Sequence, residues 1–199
     1  MSEIKNGWEE FLNPDVLRPK LISASIFLAA YALLLDTVID RIASFYSTGL
    51  PKKGDQVDAK YKEEVLSRNS SPLYASLSWL QENKAIDEKD LLEFEHIKNS
   101  RNQVAHELYK IASDNISPDF LEQFPILMAL INKIERWWII NFEIPVNPDM
   151  DGKEIEESGI VPGSIIILQI MLDIALGSHE KAQYYINEFR KLSSSHNTS

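Results

Sequence analysis

The run from Leu21 to Leu35 carries no charged side chain, and wherever this chain folds, that run has to be hidden from water. Two surroundings accept it: a bilayer or the middle of a packed domain. A helix from Leu21 to Tyr46 would reach roughly 39 Å at 1.5 Å per residue, enough to cross a hydrocarbon core. The uncharged part is nevertheless shorter than the ~20 residues of a usual span. Ser23, Ser25 and Tyr31 interrupt it, and Lys and Arg are not concentrated on one flank. A buried core or dimer-interface helix is therefore expected, with no membrane partner.

The rest of the chain supplies further helices for it to pack against. Residues 1–20 read as an irregular lead-in with a short helical piece at Trp8 to Leu12, closed by Pro14 and Pro19. Gly49 to Asp55 is a loop; Asp55 and Gln56 stand where a phosphate loop needs Lys and Ser or Thr. A polar helix over Val57 to Arg68 precedes Asn69-Ser70-Ser71-Pro72, a start signal for Leu73 to about Asn83, with Leu73, Leu77 and Leu80 on one face and Trp79 beside them. Asp87 is placed to cap Glu88 to about Ala112. Ser117-Pro118-Asp119 opens Phe120 to about Phe142, with Pro125 as a kink or delay and Trp137-Trp138 as core. Prolines and glycines mark 143–163 as loop, the one place for a minor strand. Ser164 to Leu176 and Ser178 to about Leu192 close the fold around Gly177, and Ser193 to Ser199 reads as disordered.

The expectation is an all-α bundle of six to seven helices, dimerising. It divides into a lead-in (1–20), a helical core (21–145), a loop (146–163), a C-terminal helical pair (164–192) and a tail (193–199).

The chain has no cysteine, which removes disulfides, thiolate metal sites and cysteine nucleophiles. Met1 to Asn13 lacks a basic start followed by an apolar stretch, so a cytoplasmic location is expected. A formal net charge of −10 argues against a general nucleic-acid coat, so any such site must be local. Lys98, Arg101 and Lys110 form one local basic group, and Lys52-Lys53 could add to it. Glu93-x-x-His96 has the spacing of a di-iron bundle ligand pair, but neither His106 nor His179 supplies the second copy. Serine-nucleophile elbows, zinc-protease helices and dinucleotide glycine fingerprints do not occur, and no metal or cofactor is expected.

Chemistry concentrates in Glu95 to Tyr109. On a helix, Asn102 and His106 lie one turn apart, with Glu95, Asn99 and Tyr109 extending the polar stripe. Leu91, Phe94, Ile97, Val104, Ala105, Leu108 and Ile111 read as the opposite, core-facing side. Arg190 and His196 repeat the Arg-to-His spacing rule, but at the end of the last helix and in the tail.

Arg101-Asn102-x-x-x-His106 in a helical chain resembles the motif of the HEPN superfamily: Arg, four to six residues, then His, commonly with a polar residue after the Arg. The resemblance implies a homodimer whose motif helices face each other across a two-fold axis, forming a composite site for metal-independent RNA cleavage. It implies a toxin or phage-defence role and a possible antitoxin or regulatory partner. Arg101 and His106 take the catalytic positions, and Asn102, Tyr109 and Lys98 bind or orient substrate. One subfamily, paired with a nucleotidyltransferase antitoxin, has a tyrosine two positions after the His; here Glu107 and Leu108 precede Tyr109. Some members of the superfamily have lost activity. The alternative is a non-catalytic helical interaction or assembly module.

Overall fold

The computed structural model describes residues 8, 11–47, 59–113 and 120–196; the side chains of 107–113 and 192–196 lie outside the description. Seven helices and no strand are found among the described residues. They are α1 (Pro14–Tyr46), α2 (Ala59–Glu64), α3 (Pro72–Glu82), α4 (Glu88–Ser113), α5 (Phe120–Trp138), α6 (Gly163–Leu176) and α7 (His179–His196).

Helix α1 begins at Pro14, not Leu21. Asn13 caps it, its Oδ1 accepting the Asp15 N–H at 3.0 Å. Pro14 occupies the first helical position, where a missing N–H costs nothing. Pro19 removes one backbone bond near that end without stopping the helix. By length and composition α1 could cross a membrane. In the fold, Phe27, Ala30 and Leu34 are fully buried in the bundle. A π-helical turn, Asp36–Asp40, interrupts it.

Helices α1 and α5 run parallel, as their contacts show. Phe27 lies 5.4 and 6.2 Å from Phe120 and Phe124, Thr37 meets Glu135, and Phe45 lies 5.5 and 4.9 Å from Trp138 and Phe142. A second π-turn, Ile139–Glu143, continues α5 and is joined to α1 by the Arg41–Glu143 ion pair. Arg41 also sits 5.4 Å over the ring of Trp138, which stacks on Trp79 of α3 at 5.8 Å. This aromatic end closes with Tyr46, whose hydroxyl accepts from Trp79 Nε1 at 3.0 Å and donates to Glu64 of the α2 region at 2.6 Å. Tyr61 and Val65 are buried, so the expected polar helix contributes to the core.

Helix α4 packs against both α1 and α5, and so does α6, while α4 and α6 make no substantial contact with each other. Asp87 caps α4 reciprocally: Asp90 N–H donates to Asp87 Oδ1 at 3.1 Å and Asp87 N–H to Asp90 Oδ2 at 2.7 Å. Lys133 of α5 joins the same two carboxylates at 2.9 and 2.5 Å. Ser164 of α6 donates to the buried Glu135 carboxylate at 2.5 Å, and Glu135, two positions from Lys133, points about 160° away from it around α5.

At three further places the structure is more definite than the sequence. Residues 147–162 hold no strand but two 3-10 turns, Pro148–Met150 and Glu157–Gly159; Arg136 donates to Glu157 O at 2.6 Å and fixes the second. Residues 193–196 continue α7, since serine lowers helix propensity without breaking a helix. Pro125 is accommodated inside α5. The loop Gly49 to Asp55 and the start signal Ser117-Pro118 lie outside the described residues.

Candidate functional site

The Arg101 to His106 segment lies in the C-terminal half of α4, and its neighbours come from α1 and α3. Phe94, Ile97 and Val104 anchor α4 in the core. Ala105, read from the sequence as core-facing, is exposed: one residue beyond Val104, it is turned about 100° away. The side chains of Leu108 and Ile111 lie outside the description.

Arg101 is half-buried, with its guanidinium carbon 5.5 Å over the ring of Tyr31 in α1. That ring is only 6% exposed and stacks on Phe94 at 6.5 Å. Arg101 also donates to Asn102 Oδ1 at 3.1 Å. The guanidinium is therefore oriented within a single chain, before any ligand arrives. Burial pushes the Tyr31 phenol above its ordinary range, against the opposing influence of Arg101 and Lys98. Tyr31 stays an uncharged platform at neutral pH.

Lys98 belongs to a neighbouring network. Its ammonium donates to Tyr74 Oη of α3 at 2.5 Å, and Tyr74 O–H donates to Glu95 Oε1 at 2.6 Å. The bond to Tyr74, followed by the nearby Glu95 charge, raises the Lys98 pKa against the effect of desolvation. An open cleft beside it, with Tyr74, Leu77, Leu91, Phe94 and Glu95 in its lining, has a volume of about 380 Å³.

His106 is exposed one turn beyond Asn102. It lies five positions after Arg101, a rise of roughly 7.5 Å and a rotation of about 140°. The two catalytic candidates thus leave α4 in different directions: Arg101 lies against α1, His106 faces outward. Asn102, between them in angle and bonded to Arg101, links the two. The side chain of Tyr109 lies outside the description. Glu93 pairs with Lys89 at 3.1 Å and His96 is exposed, so the di-iron spacing draws in no third ligand among the described residues.

Tyr31 and Tyr74 were missed by motif reasoning. The only trace of Tyr31 in the sequence is that it breaks the apolar run of α1. Comparison with models of protein families, with curated proteins and with solved structures finds no match to this chain.

Proposed function

We propose that this chain is a HEPN-type, metal-independent endoribonuclease that acts as a homodimer in the cytoplasm, in a toxin or defence role. The observation that carries the reading is an Arg-Asn-x-x-x-His segment on one long helix of an all-helical bundle, with Arg101 oriented by Tyr31 and Asn102 and His106 open to solvent.

In this reading the ribose 2′-hydroxyl attacks the adjacent phosphorus while the bond to the 5′-oxygen breaks. Neutral His106 of one protomer takes the 2′-hydroxyl proton, and the protonated His106 of its partner gives a proton to the departing 5′-oxygen. The products are a 2′,3′-cyclic phosphate and a 5′-hydroxyl. The two Arg101 guanidiniums meet the charge that grows on the phosphoryl oxygens, and because they are already oriented they need little rearrangement as that charge develops. Two copies are required because one imidazole is a poor choice for both proton transfers, and an isologous interface brings each patch to its own copy. Asn102, Lys98 and Tyr109 hold the phosphate and its neighbours.

The test is incubation of the purified protein with mixed-sequence single-stranded RNA, followed by end-group analysis. Arg101→Ala and His106→Ala are each expected to abolish cleavage while the dimer persists, and a chelator is expected to have no effect. Cleavage that survives both substitutions refutes the proposal. The second reading, a non-catalytic assembly module, is favoured by the broad exposed apolar surface of α6 and α7.

A further inference from the structure

Tyr74, Glu95 and Lys98 hold one another in place and still have hydrogen-bonding capacity to spare. The one proton of the Tyr74 hydroxyl is committed to Glu95 Oε1 at 2.6 Å, and the same hydroxyl accepts from Lys98 Nζ at 2.5 Å. Glu95 Oε2 faces Lys98 at 3.6 Å, an ion pair too long to be a hydrogen bond. A carboxylate oxygen and two ammonium N–H groups are therefore left for a ligand, side by side. The side chains that carry them are 44% and 30% exposed.

This pair stands at the open cleft between α3 and α4. Apolar walls, Leu77 of α3 with Leu91, Leu92 and Phe94 of α4, run between Glu88 and Glu95. The volume of about 380 Å³ is at the small end of the ~300–1,000 Å³ of ligand pockets, room for one flat ring system. Arg101 is close by: Glu95, Lys98 and Arg101 follow in steps of three along α4, roughly 9 Å from first to last. The buried Tyr31 phenol lies in the field of all three and of Tyr74. A phosphate on Arg101 and a base in the cleft are thus within the span of one nucleotide.

We infer that the cleft is a base-recognition subsite whose occupant is guanine, an inference that rests on the ribonuclease reading above and names the base it selects. Guanine has two adjacent donors, N1–H and N2–H, matched to a carboxylate that only accepts, and an acceptor, O6, next to them for the Lys98 ammonium. Adenine and cytosine each offer Glu95 a single amino group, and uracil only its N3–H. An arginine side chain of a protein partner also has paired donors, but its charge is repelled by the ammonium 3.6 Å from the same carboxylate. Arg101 then positions the phosphate while Glu95 determines the sequence, and Tyr74 acts as the positioning residue that fixes Glu95 and Lys98 relative to one another.

The test is calorimetric titration of the full chain with the 3′,5′-bisphosphates of guanosine, adenosine, cytidine and uridine, which carry a phosphate on both sides of the base. Guanosine bisphosphate is expected to bind roughly tenfold or more tightly than the other three. Glu95→Gln keeps the shape and an acceptor for Tyr74 but turns an amino group toward the guanine donors, so the preference should disappear with helical circular dichroism unchanged. Tyr74→Phe should reduce it. Equal binding of the four, no binding of any, or a preference that survives Glu95→Gln overturns the inference. Tighter binding of N-acetylargininamide than of guanosine bisphosphate also overturns it, in favour of a basic protein partner. A chain that selects guanosine bisphosphate through Glu95 yet leaves RNA intact refutes the ribonuclease reading alone, and a chain that cuts RNA but binds the four alike refutes only the guanine subsite.

Discussion

The coupling between Tyr31 and Arg101 offers a quantitative check on the site that does not depend on knowing the substrate. The guanidinium carbon lies 5.5 Å over the Tyr31 ring centroid, within the ~6 Å range at which a cation is attracted to a ring face. Arg101 is half-buried and Tyr31 nearly fully so, which places the contact between the ~0.5 kcal/mol of an exposed pair and the ~2 kcal/mol of a desolvated one. A coupling of about 1 kcal/mol follows, roughly a fivefold change in the folding equilibrium. The cycle uses Arg101→Met, which keeps the aliphatic stem, and Tyr31→Leu, which keeps apolar volume. Urea denaturation of wild type, both single variants and the double variant isolates the pair from the Tyr31–Phe94 stacking that Tyr31→Leu also removes. A coupling below about 0.3 kcal/mol would mean the ring does not hold the guanidinium, and the preorganised arginine would have to be given up.

Three other perturbations follow from the same structure. Asp87 is held at about 2 against an ordinary 3.8, chiefly by the Lys133 hydrogen bond and then by the Asp90 N–H. A carboxylate with a depressed folded pKa stabilises above its unfolded value and loses that contribution as pH falls through the window from 3.8 to about 2, so Asp87→Asn should flatten acid unfolding there, followed by circular dichroism. The Tyr31 phenol is shifted the other way by burial, so its contribution is present below pH 10.0 and is lost as pH rises through the folded value; Tyr31→Phe should reduce the alkaline loss of stability in urea melts at stepped pH. Ser164→Ala removes the bond that closes α6 onto buried Glu135, and should lower stability by ~1.5–3 kcal/mol, with hydrogen exchange rising first in α6 and α7.

The helical bundle was legible because its signals are local. Apolar periodicity gives each helix, and the reciprocal Asp87–Asp90 cap was half visible in the choice of Asp87. Pro14 misled because proline marks both a stop and a first position, and only Asn13 before it decides between them. The π-turns have no compositional sign: Asp36–Asp40 and Ile139–Glu143 are answers to packing between two helices. The site divides along the same line. Arg101, Asn102 and His106 are one segment and could be read together, whereas Tyr31 reaches Arg101, and Tyr74 reaches Lys98 and Glu95, from helices distant in sequence. Ala105 was assigned to the core on spacing alone, and it is turned about 100° from the buried Val104.

The π-turn in α1 also determines how the chain tolerates changes in length. Leu34, Val38 and Ile42 are all fully buried in steps of four, a spacing that drifts by about 40° per step on a straight α-helix. The wider turn takes up this drift and keeps Phe45 and Tyr46 in phase with Trp79 and Trp138, as its counterpart does for Phe142 in α5. Each turn is thus a place where one residue can be lost and the helix can close to its regular repeat without rephasing the aromatic end. Between Arg101 and His106 no such slack exists: the same loss there would swing one side chain against the other by about 100°.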